Sequence, residues 1–244
     1  MLLLPNTDLE RNRGVDGFFA DFDHLVTLDR WTTIVADGGT VTVPDGAPSH
    51  LLLNPVDTVD EEEVYVHTSA EMFKMADNLP IVVECRLQYA EANTSAANII
   101  FGIKNAVAAD ALQSASGGPA ANYNGACFFK VDGETLWRVE SSITTTQTTS
   151  ETKYTAGGTS YQTLRIEINN VSATKMRVQF FIDTAGGQNF EQCRVTGKTN
   201  ALIDHEITLG TALDMDVFVG VKQGSTTVEN LLVDYIGAHQ KRYV

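Results

Sequence analysis

Alternating apolar and polar residues recur along most of the chain and predict β-strands. The clearest run, Ile81 to Tyr89, places apolar residues at every second position, with Glu84 and Arg86 among the polar residues between them. Two later segments, 161–169 and 175–182, follow the same rule. A side-chain period of two gives each segment one dry face and one wet face. No stretch shows helical spacing of comparable strength over three turns, so the pattern predicts an all-β fold.

Turn residues separate these runs and predict hairpins. Asp132-Gly133 joins the segments 126–131 and 134–139, and this dipeptide is a signal for a two-residue type I′ turn. The Thr-rich segment Ser141 to Thr152 predicts an outer or edge strand with a solvated face, because β-branched Thr favours extended backbone. About a dozen strands at this spacing are typical of a two-sheet antiparallel sandwich.

The 244 residues fit a single sandwich domain preceded by a short arm. We assign residues 1–17 to an N-terminal arm and residues 18–244 to the sandwich, with Phe18, Phe19 and Phe22 starting the first buried element. The longest insertion between strands, Asn105 to Asn124, is rich in Ala, Ser and Gly. Loops of this length in compact domains are often functional, so it is a candidate contact surface.

Charge and cysteine content exclude several classes of partner. The formal net charge is −14, which opposes binding to nucleic acids and anionic membranes. Cys85, Cys127 and Cys193 are odd in number and lie in predicted strands, so we expect buried free thiols in a protein made in a reducing cytoplasm. The apolar start Met1 to Pro5 lacks the features of an export signal, and no apolar run approaches the ~18 residues of a membrane span.

The pattern of acidic and nucleophilic residues does not predict an enzyme. Jelly-roll glucanases place two carboxylates on one strand in a Glu-x-Asp-x-Glu motif, and this motif is missing from the sequence. Glu84 and Glu167 are each expected to stand alone on a solvent face. No Gly-x-Ser-x-Gly elbow accompanies the five scattered His residues.

The sequence predicts no cofactor. An acidic loop that includes Asp57 and Asp60 to Glu63, and the pair Asp21 and Asp23, offer oxygen ligands for Ca²⁺. Their spacing matches no fixed calcium-loop pattern, so a structural Ca²⁺ is possible without being supported. Zinc is disfavoured because no Cys or His pairs occur at ligand spacing.

Four features together resemble the concanavalin A-like or laminin G-like jelly roll. They are a Trp after an early Phe-rich element (Phe18 to Trp31), a long central strand (Ile81 to Tyr89), a strand ending Phe101-Gly102-Ile103, and a last strand Leu232-Val233-Asp234-Tyr235-Ile236. Within that superfamily, the acidic composition, the arm and the Thr-rich strand are most similar to capsid decoration (cement) proteins of tailed bacteriophages. The resemblance implies an all-β, two-sheet antiparallel jelly-roll sandwich and a structural role in a virion.

On this resemblance, the protein is made in the host cytoplasm and binds the outside of a phage head. Its partners are the major capsid protein and further copies of itself, a homotrimer being expected where three subunits meet. A cement that binds assembled shell and not free subunits shifts assembly towards the closed particle. The Leu2 to Leu4 hook docks on a neighbour or folds back on its own sandwich. The residues expected to contact the capsid are Leu2, Leu3, Leu4, Arg11, Arg13, Asp60 and Tyr123.

The alternative is a lectin-like carbohydrate-binding module, on a phage tail or fibre or elsewhere. Tyr123, flanked by Asn122 and Asn124, has the residue types with which lectin-type jelly rolls stack and hydrogen-bond sugars. Tyr123 has a second interpretation, in which it anchors the long insertion to the sheet. Fold alone does not decide between these functions.

Overall fold

A computed structural model describes residues 15–22, 30–36, 38–44, 50–55, 60–91, 96–114, 117–187 and 189–241. All regular structure in these ranges is β, and no helix in them is long and apolar enough to cross a membrane. The strands are β1 (Val15–Ala20), β2 (Trp31–Val35), β3 (Thr40–Thr42), β4 (Leu51–Asn54), β5 (Glu63–Thr68), β6 (Phe73–Met75), β7 (Ile81–Gln88), β8 (Ala97–Lys104), β9 (Gly125–Lys130), β10 (Leu136–Ile143), β11 (Thr146–Thr155), β12 (Gln162–Ser172), β13 (Lys175–Asp183), β14 (Glu191–Gln192), β15 (Asp204–Thr208), β16 (Leu213–Gln223) and β17 (Leu231–Lys241).

The strands form two antiparallel sheets. Sheet A has the order β14-β13-β12-β7-β17-β4-β3, with β1 also paired to β17 and β15 to β13. Sheet B has the order β11-β10-β9-β8-β16-β5-β2, with β6 also paired to β16. The predicted two-sheet antiparallel sandwich is therefore confirmed.

The main core lies between the sheets and follows the alternation in the sequence. On β7, the apolar positions 81, 83, 85 and 87 are at most 1% exposed, whereas the polar positions between them are half-buried. Phe128 of sheet B packs edge-on against Trp137 and against Phe180 of sheet A, with ring centroids 6.3 and 5.5 Å away. All three cysteines are buried and free, as predicted.

The first strand corrects one expectation. Phe18 and Phe22 are buried and pack with Trp31, but Phe19 is 64% exposed. Successive side chains of a strand point to opposite faces, so Phe18 and Phe19 cannot both enter the core. Residues 1–14 lie outside the described residues. Strand β1 starts at Val15, so three residues assigned to the arm belong to it, and the boundary between arm and domain stays a prediction.

The hairpin at Asp132-Gly133 is confirmed, but its turn type is wrong. β9 and β10 pair in antiparallel register through a connection of residues 131–135. The φ angle of Gly133 is 81°, whereas Asp132 is not among the described residues with positive φ. A type I′ turn needs positive φ at both central residues. The Thr-rich edge strand is confirmed as β11, although residues 141–143 belong to β10.

The described residues of the insertion between β8 and β9 form a third layer on the outer face of sheet B. Ala111, Leu112 and Tyr123 of the insertion are buried in a second hydrophobic cluster with Tyr65 and other sheet residues. The Tyr65 ring packs over Gly220, where an added Cβ atom would lie 1.8 Å from Tyr65 Cδ1. The Leu112 amide donates a hydrogen bond of 3.2 Å to Tyr65 Oη. Much of the insertion is thus held down on its own sheet.

Candidate functional site

A groove of about 750 Å³ crosses the outer face of sheet A, the face turned away from sheet B. Its walls and floor come from β1, β17, β7 and β12. The lining residues are Gly17, Phe18, Phe19, Val82, Glu84, Arg165, Glu167, Tyr235, Gly237, Ala238 and His239.

Strand register places the groove residues in rows across the sheet. In one row, Phe19 lies opposite Gly237, Gly237 opposite Glu84, and Glu84 opposite Arg165. Neighbouring strands are about 4.8 Å apart, so this row is about 14 Å long. Gly237 has no side chain, and it leaves a slot between the aromatic wall at Phe19 and the charged pair.

A second row runs parallel to the first, two residues further along each strand. It places Gly17 opposite His239, His239 opposite Val82, and Val82 opposite Glu167. The groove therefore has an aromatic side on β1 and β17 and a carboxylate side on β7 and β12.

A β-bulge in β17 completes the aromatic side. The register of β17 against β7 shifts between Val233 and Tyr235. Val233 and Ile236 are both fully buried, whereas Asp234 and Tyr235 between them are both half-buried. An extra residue at a bulge re-aims the side chains that follow it, and here it brings Asp234 and Tyr235 side by side onto the outer face.

A hydrogen-bonded network holds Glu84 at the centre of the groove. Arg165 donates to Glu84 Oε2 from Nε at 2.8 Å and from Nη2 at 2.7 Å. Tyr235 Oη donates to Glu84 Oε1. Burial, followed by this contact with Glu84, raises the pKa of Tyr235 above its ordinary value, so the phenol stays protonated as a donor. Both oxygens of Glu84 are thus fixed before any ligand arrives.

Aromatic rings flank the network on both sides. The ring centroids of Phe19 and Tyr235 are 4.9 Å apart with planes tilted by 36°. On the other side, the Arg165 guanidinium carbon lies 3.8 Å from the centroid of the Phe190 ring. Stacking of this kind fixes a guanidinium plane. Phe19 has the most exposed ring of this set.

Two polar side chains in the groove have capacity left for a ligand. Glu167 Oε1 lies 3.8 Å from Arg165 Nη1, too far for a hydrogen bond, and its side chain is 26% exposed. His239 is exposed on β17. Partial burial and the charge of Arg165 lower the pKa of His239, while Glu167 and Glu84 act in the opposite direction. A lowered pKa leaves the imidazole neutral at pH 7, with one nitrogen as donor and one as acceptor.

Glu84 and Glu167 do not stand alone on solvent faces as the sequence indicated. They lie on neighbouring strands of the same groove, with Arg165 in contact with both. Sequence reasoning missed this because β7 and β12 are 81 residues apart at the Glu84 and Arg165 positions. The sequence shows polar residues at alternate positions of both strands, but it does not show that the two strands pair.

The residues expected to bind sugar in the insertion do not form an open aromatic platform. Tyr123 is 5% exposed, and its hydroxyl contacts Cys127 Sγ at 3.4 Å and Glu140 Oε1 at 3.1 Å. Asn122 is exposed, with φ at 63°, and Asn124 Oδ1 accepts a hydrogen bond of 2.8 Å from the Thr144 amide. Burial of Tyr123 agrees with the interpretation that it anchors the insertion.

Of the residues expected to contact a capsid, the structure describes Asp60 and Tyr123. Leu2, Leu3, Leu4, Arg11 and Arg13 lie outside the described residues. Asp60 is exposed.

The acidic segment that follows Asp60 folds onto sheet B. Lys222, whose side chain is 1% exposed, lies within 3.2 Å of Glu61 and 3.6 Å of Glu63. Glu62 Oε2 accepts a hydrogen bond of 3.0 Å from Gln223. Among the residues that the structure describes, no group of three or more His, Cys, Asp or Glu side chains is arranged to hold a metal ion.

Comparison with known proteins identifies the fold and no family. No protein-family model matches the chain, and no curated protein sequence matches it. Several solved structures share its architecture.

Three of these structures illustrate the range of proteins with this fold. The endo-1,3-β-glucanase of Streptomyces sioyaensis has a TM-score of 0.58 and 14% identity, over 95% of this chain and 98% of that chain. The metal-free carbohydrate recognition domain of Emp46p has a TM-score of 0.55 and 12% identity, over 90% and 94%. Peanut lectin with a 9mer peptide has a TM-score of 0.54 and 11% identity, over 94% and 99%. The chain therefore has the concanavalin A-like jelly-roll fold that its sequence resembles.

Proposed function

We propose that this protein binds carbohydrate in the groove on sheet A. One observation carries the proposal: the exposed ring of Phe19 and the ring of Tyr235 border a slot whose opposite side is the fixed carboxylate of Glu84. The predicted sugar-binding alternative is thus kept, but the proposed site lies on the outer face of sheet A and not in the insertion on sheet B.

The chemistry of the slot suits a sugar ring. A pyranose has apolar C–H faces and an edge of hydroxyl groups, so it is bound by an aromatic face together with a few precisely placed polar groups. Phe19 supplies exposed aromatic surface. Glu167 and His239 supply hydrogen-bonding atoms on the floor of the same groove.

The hydrogen-bonded network in the groove lowers the entropy that its side chains lose when a ligand binds. Arg165 is held by two hydrogen bonds to Glu84 and by stacking on Phe190. Side chains that are already fixed in the free protein lose less conformational entropy when a ligand binds. Three structural neighbours support the same proposal by their names. One is a carbohydrate recognition domain, one is a lectin and one is a glucanase.

Affinity electrophoresis through gels containing soluble polysaccharides tests the proposal. We expect at least one polysaccharide to retard the protein, and Phe19→Ala to weaken that retardation about tenfold, equivalent to about 1.4 kcal/mol. The matched control is Leu202→Ala, which removes another exposed apolar side chain, 49% exposed and outside the groove. Equal retardation of Phe19→Ala and the unaltered protein would rule out this site.

Binding without cleavage is part of the proposal. The two carboxylates of the groove contact one arginine between them, and Glu84 is engaged by both of its oxygens. Glycoside hydrolysis needs two carboxyl groups that act on the sugar, and both oxygens of Glu84 are already occupied by Arg165 and Tyr235. Incubation with the retarding polysaccharide should release no reducing ends; steady release would replace the binding role with a hydrolytic one.

The capsid-decoration role stays a prediction that rests on resemblance alone. Its major capsid partner, its homotrimer and its location on a virion are not addressed by the described residues or by the comparisons. Quantification of this protein against the major shell protein in purified particles tests that role, because a cement is present at near parity with the shell.

A further inference from the structure

We infer that the groove selects neutral, hydroxyl-rich glycans and excludes polysaccharides that carry carboxylate or sulfate groups. This inference rests on the proposed function, and it concerns the substrate class of the same site. It follows from the pairing of charges along the groove.

Arg165 in the groove and Arg86 near it on β7 are already engaged by carboxylates. Arg165 makes two hydrogen bonds to Glu84 and stacks on Phe190. Arg86, two residues beyond Glu84 on β7, donates from Nη1 to Asp234 Oδ2 at 2.6 Å and stacks over a tyrosine ring. An anionic sugar would have to displace an internal carboxylate to gain a cation, and it would leave that carboxylate unpaired.

The carboxylate with remaining capacity repels anions and suits hydroxyl donors. Glu167 lies beyond hydrogen-bond distance of Arg165, and its side chain is partly exposed to the groove. A carboxylate accepts hydrogen bonds only, so it can take two from adjacent hydroxyl groups of a neutral sugar. A second carboxylate or a sulfate at the same place would face like charge at short range.

Apart from Arg165, no described residue that lines the groove offsets the negative charge of Glu167. His239 adds no positive charge at pH 7, because its pKa is lowered. Among the described residues, Arg177 and Lys241 lie on this face two residues beyond the rows that line the groove. The net charge of −14 adds a repulsive field at longer range.

Matched pairs of polysaccharides test the inference. Each pair shares a backbone and differs in charge: hydroxyethyl cellulose with carboxymethyl cellulose, dextran with dextran sulfate, and methyl-esterified pectin with polygalacturonate. Retardation of the protein is measured for all six at pH 7 in low salt. We expect a neutral member to retard the protein at least tenfold more strongly than its anionic partner.

Two variants separate a local effect from the overall charge. Glu167→Gln removes the groove carboxylate that has remaining hydrogen-bonding capacity. It should narrow the difference in retardation between neutral and anionic polysaccharides by severalfold. Asp214→Asn removes the same charge from an exposed position on sheet B, where Asp214 pairs with Lys74, and should leave the difference unchanged. Added salt should weaken but not abolish the preference for neutral polysaccharides. Salt screens the repulsion between charges, whereas it does not screen the hydrogen bonds from sugar hydroxyl groups to Glu167 in the same way.

Each outcome has a distinct meaning. Tighter or equal binding of an anionic member overturns the inference and leaves the carbohydrate-binding function intact. An identical effect of the two variants also overturns it, because selection would then come from net charge. Binding of none of the six polymers overturns both the inference and the proposed function.

Discussion

Gly237 lies directly opposite Phe19 in the pairing of β17 with β1, and a Cβ atom at Gly237 would lie 3.3 Å from Phe19 Cδ2. The missing side chain lets one edge of the Phe19 ring approach the strand, while Phe19 stays 64% exposed. The other neighbour of Gly237 is Glu84, on β7. Gly237 thus separates Phe19 from Glu84 along this row of the sheet.

Filling this slot should block binding. Gly237→Val places a branched side chain between Phe19 and Glu84, and the backbone permits it because φ at Gly237 is not positive. We expect at least a tenfold loss of polysaccharide affinity with a folded protein, as measured by affinity electrophoresis and circular dichroism. The control is Gly210→Val, since no atom lies within 4 Å of a Cβ there. Unchanged binding by Gly237→Val would place the ligand elsewhere.

A buried histidine should make stability depend on acid pH. His205 is 4% exposed, and its two ring nitrogens lie 3.0 Å from Ser141 Oγ and Ser150 Oγ. Burial lowers the pKa of His205 from 6.5 to about 4. Between these values the unfolded chain binds more protons than the folded protein, so stability falls as pH drops from about 6.5 to about 4. The full loss is about 3 kcal/mol.

Urea unfolding at pH 7, 5.5 and 4.5 measures this effect. The variant His205→Gln keeps hydrogen-bonding capacity without a titrating group, so its stability should fall less over the same range. Carboxyl groups titrate equally in both proteins, and the difference between the two curves isolates His205. Parallel curves would show that His205 does not contribute.

Lys222 should be a main anchor of the acidic segment and of the insertion. Its ammonium lies 2.7 Å from Asp110 Oδ1 and donates to the Leu112 carbonyl oxygen at 3.2 Å. Lys222→Met leaves the buried carboxylate of Glu63 without this cation. Removing one partner of a buried ion pair costs about 3 to 5 kcal/mol. Urea unfolding should show this loss.

Limited proteolysis provides a second measurement of the same variant. Lys222→Met should be cleaved within 105–124 faster than the unaltered protein, because two tethers of the insertion are lost. Lys74→Met is the control, since Lys74 is half exposed and pairs with the exposed Asp214. An exposed pair contributes at most about 1 kcal/mol. Equal losses for the two variants would contradict the anchoring role.

Removing residues 1–14 should distinguish carbohydrate binding from capsid decoration. Among the described residues, the groove lining begins at Gly17, and β1 begins at Val15. We therefore expect polysaccharide to retard the truncated protein to within about twofold of the full chain. The capsid role instead requires that the truncated protein loses shell binding, as measured by sedimentation with purified particles. A truncated protein that loses sugar binding would show that the arm contributes to the groove.

Local alternation predicted the strands because it depends on residues two apart, and burial on β7 reproduces it. The groove depends on contacts that local patterns do not contain, such as that of Glu84 with Arg165, 81 residues away. The exposure of Phe19 could have been predicted, since Phe18 and Phe19 are adjacent in one strand. Tyr123 shows the converse, because a tyrosine between two asparagines in a long insertion has the composition of a binding loop, yet its ring is buried under that loop.

The bulge in β17 sets a counting rule for the C-terminal strand. Inner positions are odd-numbered before the shift, as at Val233, and even-numbered after it, as at Ile236 and Ala238. Deleting residue 234 would remove the extra residue and restore plain alternation, because Val233 and Tyr235 already pair with the consecutive residues Leu87 and Arg86. Related chains that keep this groove can therefore lack residue 234, whereas a one-residue deletion between Ile236 and His239 would turn His239 towards the core.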